Sequence, residues 1–98
     1  MWRHGDVFIA AVEAIPDGAV RRAGWVLAEG EATGHSHRIE RPETVELYER
    51  GGLLYLRVVA ESATVVHQEH RAITLPRGVY RVWQQREYSP REIRTVRD

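Results

Sequence analysis

The stretch "TVELYERGGLLYLRVVA", residues 44–60, alternates apolar and polar side chains on both sides of a Gly–Gly pair. Val45 and Leu47 interleave with Glu46 and Tyr48, while Leu54, Leu56 and Val58 share one face of the return. A one-residue slip would turn the whole apolar set to water, so the segment reads as an antiparallel hairpin of fixed register. The rest of the chain follows the same habit. Runs of Val, Ile, Leu, Tyr and Trp recur between Gly and Pro signals at intervals of about 8 to 12 residues, and helical periodicity is absent. "DVFIAAVEAI" ends at the turn "PDG"; "GWVLAEGE", "HSHRIE", "ATVVHQEH", "AITLPRG" and "VYRVWQQREY" follow as further strands. In "PRG", Pro76 and Gly78 are expected to turn the chain from one strand into the next. The polar tail "SPREIRTVRD" has a capping serine before proline and is expected to hold a helical turn. These patterns predict a single all-β domain over residues 1–98, a small barrel or sandwich of about seven short strands.

A chain of 98 residues hides only a modest core, so any pocket is shallow or is completed by a second subunit. An exposed edge strand in so small a sheet makes a homodimer the expected assembly. The absence of cysteine removes disulfides, thiolate ligands and thiol nucleophiles. All 14 basic residues are arginine, which removes lysine-based covalent and P-loop chemistry. Arginines and acids balance to a net charge of zero, unlike a strong nonspecific nucleic-acid binder. "VFIAAV" has neither the length nor the flank of a signal peptide, so a soluble cytoplasmic protein with no membrane partner is expected.

Four of the five histidines fall in two tight pairs, "GHSHRIE" at 34–40 and "HQEH" at 67–70. Residues two apart on a strand project to one face roughly 6.5 to 7 Å apart, so His35 and His37 stand side by side. Imidazoles so placed can converge on an ion that asks for nitrogen at about 2.0 to 2.1 Å. His35, His37 and His67 form the expected metal trio, with Glu69 or His70 as fourth ligand. His70 points the other way unless a bulge or turn follows Glu69. Imidazoles with one carboxylate suit zinc, iron or nickel. A water bound there would attack a small ester, amide or phosphate, with Glu31 or Glu40 moving the proton. His4, in "RHGD", is expected in solvent, the alternative being the mouth of the site.

Two further readings stay open. In one, the histidines cut RNA as a metal-free acid and base, with Arg38, Arg71 or Arg81 holding the phosphate. Zero net charge and the lack of a dense aromatic-basic stripe stand against it. In the other, the histidines organise a noncatalytic binding or oligomerisation module. "QREY" also admits Glu87 and Tyr88 as acid and hydroxyl donor near the site, or a structural strand end.

"WVLAEGEATGHSHRI", "HQEHRAITLPRGVYRV" and "QREYSP" resemble a family of uncharacterised bacterial and phage-associated proteins sharing LAxGExTGHxH, HxEHxxIxLPxGxY and QREYxP blocks. The resemblance implies that the blocks belong together and names no reaction. A looser likeness is to cupins, β-barrels whose first motif follows a glycine with two histidines one apart and a glutamate. Gly30, His35, His37 and Glu40 are similar to that motif, and Pro76-Arg77-Gly78 to the turn of the second. Glu40 falls about one residue early, and Arg81 stands at the third histidine's place. A cupin-like metal site would therefore need His67 or His70 instead.

Overall fold

The computed structural model describes residues 1–29 and 35–84. It is an antiparallel all-β domain whose single sheet has eight strands and does not close. The strands are β1 (Trp2–His4), β2 (Val7–Val12), β3 (Val20–Arg22), β4 (Val26–Glu29), β5 (Ser36–Ile39), β6 (Val45–Arg50), β7 (Leu53–Val66) and β8 (Ile73–Gln84). A 3-10 turn at Pro42–Thr44 precedes β6. No helix among the described residues is long and apolar enough to cross a membrane.

The expected hairpin is β6–β7, with Val45 opposite Val58 and Arg50 opposite Leu53. Its turn needs left-handed backbone at both central positions, and Gly51 and Gly52 supply φ of 59° and 80°. Val45, Leu47, Leu54, Leu56 and Val58 are all buried, on the face their alternation assigned them.

The sequence divides the second half of the chain too finely. "ATVVHQEH" does not start a new strand: β7 runs unbroken to Val66 and stops before His67. "PRG" is likewise no turn, because β8 passes straight through Pro76–Gly78. A register shift between Val58 and Ser62 of β7 takes up the irregularity. Such a shift bends a strand without ending its ladder, and proline is tolerated in a sheet at such a place.

That long bent hairpin organises the molecule. The first half of β7 and the second half of β8 belong to a run ordered β3-β6-β7-β8-β2-β1, while their other halves join β5 and β4. The two runs enclose the core, in which Ile9, Ile39, Leu56, Val65 and Leu75 are almost fully buried. Each such side chain contributes about 1.5 to 3 kcal/mol over its exposed state. The ends of β8 and β4 approach each other at the surface, where Gln84 Nε2 donates to the Glu29 carbonyl at 3.3 Å. Among the described residues β1, β3 and β4 each pair on one side only.

Candidate metal centre

The histidines from three stretches of backbone meet where β1 faces β5. His37 enters from β5, whose inward positions are His37 and Ile39. His67 and His70 come from the bend after β7, and this bend carries His70 to the same side as His67. The ligand atoms of His37, His67 and His70 lie within 4.8 Å of one another. The trio grades from buried His37 through half-buried His67 to exposed His70, so the cluster opens to solvent on the bend side.

His4 corrects the sequence reading. It is buried, not solvated, with 2% of its surface exposed. Its Nδ1 stands 2.9 Å from Nδ1 of His37, and its ring centroid 5.7 Å from that of His70. The cause is the β1–β2 hairpin, whose Gly5–Asp6 turn lies at the cluster. Asp6 Oδ1 is 3.2 Å from His37 Nε2, and Asp6 Oδ2 accepts from Gln84 Nε2 at 3.2 Å. We assign the tautomers from these contacts: His37 donates Nε2–H to Asp6, its Nδ1 accepts, and His4 donates from Nδ1. His4 Nε2 is buried without a hydrogen-bond partner among the described residues.

His4, His37 and His67 resist protonation. Burial first, then positive charge on His67 or His4, pushes the His37 imidazole down to about 4, with Asp6 opposing. Burial also lowers His4, against the nearby Arg71 backbone, and His70 and His67 lower it further. His67 is lowered by desolvation and by His70 and His35, with Glu69 opposing. His4, His37 and His67 therefore favour the neutral form, the one from which an imidazole can ligate a Lewis acid.

Gly5 is tied to this geometry. It has φ of +65°, and a Cβ there would sit 2.7 Å from His70 Nε2 and 3.1 Å from His37 Cε1. Gly5→Ala is expected to cost about 1 to 3 kcal/mol of stability through backbone strain and overlap. It should also move the His70 ring, seen as changed imidazole shifts in a proton–nitrogen spectrum.

The remaining expected site residues are scattered. His35 lies outside the group of three, its ring 5.6 Å from that of His67 and its Nδ1 3.6 Å from Glu69 Oε2. Glu69 is exposed, and its backbone N–H donates to His67 Nδ1 at 3.0 Å. Arg38 is near enough to His67 to affect its charge, and the exposed Arg71 touches the cluster through its backbone near His4. Glu40 lies at the far end of β5, in a surface groove with Arg41, Glu43 and Thr64. Arg81 is on the outer face of β8, its guanidinium 4.8 Å from the Trp83 ring centre. Glu31, Glu87, Tyr88, Gly30, Gly34 and the tail fall outside the described residues.

Sequence reasoning missed the roles of His4, Gly5 and Asp6. The available signal was "HGD" in front of "VFIAAV", a two-residue turn pair that makes a hairpin of the first nine residues and points His4 inward.

Fold and site together define a small open β-sheet domain with a histidine cluster held where β1, β5 and the bend after β7 meet. Residues 3–85 match the model of a family described as Domain of unknown function (DUF8820), and the chain belongs to that family. No curated protein and no solved structure matches it.

Proposed function

We propose that His37, His67 and His70 hold a divalent transition ion, zinc in the first instance with iron and nickel as the other candidates, and that the site hydrolyses a small ester, amide or phosphate. The observation that carries this reading is the convergence of three imidazole ligand atoms to within 4.8 Å of one another. Around tetrahedral zinc the ligand nitrogens stand roughly 3.3 Å apart, so the widest pair of the trio tightens by up to about 1.5 Å on loading. His70, on the bend, is the exposed member of the trio. Zinc held by three protein ligands keeps a fourth position for water and brings that water's pKa to about 7.

The surrounding residues have defined parts in this reading. Asp6 accepts from Nε2–H of His37 and so keeps its lone pair on Nδ1, the usual service of a carboxylate behind a ligating histidine, and loading must displace the His4 N–H that this Nδ1 accepts. His67 has one lone pair when neutral, and the Glu69 N–H occupies it. Loading must open that hydrogen bond, at a cost of about 1 kcal/mol. Opening it leaves the Glu69 carboxylate beside the open side, as the group that moves the proton. The cupin likeness enters here in altered form. The second histidine of the HxH pair is kept, whereas Arg81, at the third histidine's place, faces away, so His67 and His70 complete the set.

Nitrophenyl ester and phosphate hydrolysis by the zinc-loaded protein tests the reading. Turnover is expected to fall at least about a hundredfold in His67→Ala. Activity that persists in excess chelator would contradict it and assign the site to metal-free acid–base chemistry.

A further inference from the structure

The outer face of the six-stranded run bears no relation to the histidine cluster, yet its composition is sharply biased. Cross-strand register aligns Arg81, Tyr55, Tyr48 and Arg21 in one row across β8, β7, β6 and β3. A second row joins Arg3 of β1, Phe8 of β2 and Trp83 of β8. Arg57 stands on the same face and pairs with Glu46. Arg50, also at an outward position, donates to the Asp17 carbonyl. Five arginines thus face outward here against one acid, Glu46, among the described residues. Arg21, Arg57 and Tyr48 already surround that acid, so little of its charge is left unmatched.

A chain of zero net charge has therefore sorted its charges by face. The dense aromatic-basic stripe that no single stretch of sequence carries is assembled across the strands by pairing register. Phe8 and Trp83 stack with ring centres 5.6 Å apart and planes 15° from parallel. Guanidinium groups lie 5.4 Å from Phe8 and 4.8 Å from Trp83, and two more lie 5.8 Å from Tyr48. Arg81 Nε is buried with no acceptor among the described residues. From Arg81 to Arg21 the first row spans three interstrand gaps, roughly 14 Å, the reach of two or three extended nucleotides.

We propose that this face binds single-stranded nucleic acid, its bases stacking on Trp83, Tyr55 and Tyr48 while the arginines hold the phosphates. Rings with π-faces accept any base, and an arginine gives both a phosphate contact and a stacking plane. An acidic protein surface would use the charges but has no need of the ring ladder. The inference stands independently of the metal reading.

The test is fluorescence anisotropy of labelled thymidine and uridine oligonucleotides, about a dozen nucleotides long, with the intact protein in chelator. Binding is expected to weaken roughly thirtyfold between 50 and 200 mM salt if three or four phosphates are held. Tyr48→Ala should weaken it about tenfold, and Arg21→Glu, at the sheet edge, at least as much. Variants count only when their far-UV circular dichroism matches the parent; Tyr48→Leu supplies a second ring-deletion where Tyr48→Ala does not fold. Absence of binding at low salt overturns the proposal. So does equal affinity for heparin or polyglutamate with no loss in the ring variants, which would make the face a general polyanion surface.

Discussion

Saturating zinc is expected to raise the melting temperature of the metal-free protein by about 15 to 30 °C. The size follows from linkage. An ion that binds only the folded state, at a free concentration near a thousand times Kd, stabilises by about 4 kcal/mol. Each kcal/mol shifts a domain of this size by about 4 to 8 °C. The unfolded chain competes poorly, because His37 and His67 are 30 residues apart in sequence and only folding brings them to 4.4 Å between ring centres. His70→Ala is the informative control. His70 is exposed, so its removal leaves the core intact, yet the zinc-dependent rise should shrink to a few degrees. A rise of equal size in His70→Ala would mean that zinc binds elsewhere.

The metal-free protein is expected to lose about 3 kcal/mol between pH 6.5 and pH 4 from His37 alone. The folded-state value near 4 lies below the ordinary 6.5. Between these values the unfolded chain takes up a proton that the folded chain refuses, so stability is complete above about 6.5 and drains away as pH falls towards 4. His4 and His67 are shifted in the same direction and steepen the loss. Urea titrations at several pH values measure it. A stability that is flat from pH 7 to 4 would show that the imidazoles are not buried against one another.

How far the sequence reveals this molecule depends on the range of the interaction that decides each feature. The β6–β7 hairpin was legible because Gly51 and Gly52 and the alternation around them settle it within 17 residues. Pro76-Arg77-Gly78 misled for the opposite reason. The same residues serve a turn or a bent strand, and the choice is made by β7 pairing through the irregularity at Val58–Ser62.

The candidate site shows the same division. His37 and His67 could be paired on paper because HxH and HxxH are local patterns. The parity argument separated His70 from His67, since it assumed a strand running on through His70, whereas β7 ends at Val66. His4 left no periodic signal, being one residue of a three-residue strand. Its burial is decided by a contact with His37, 33 positions away. The arginine and aromatic face was invisible for a related reason, as Arg21, Tyr48, Tyr55 and Arg81 are neighbours only once four strands are in register.

The most direct measurement is the metal content of untagged protein together with anomalous scattering at the zinc, iron and nickel edges. One peak between the His37, His67 and His70 rings, at about one equivalent per chain, is the expected result. Less than about a tenth of an equivalent, unrestored when zinc, iron or nickel is added, or a peak away from those rings, would contradict it.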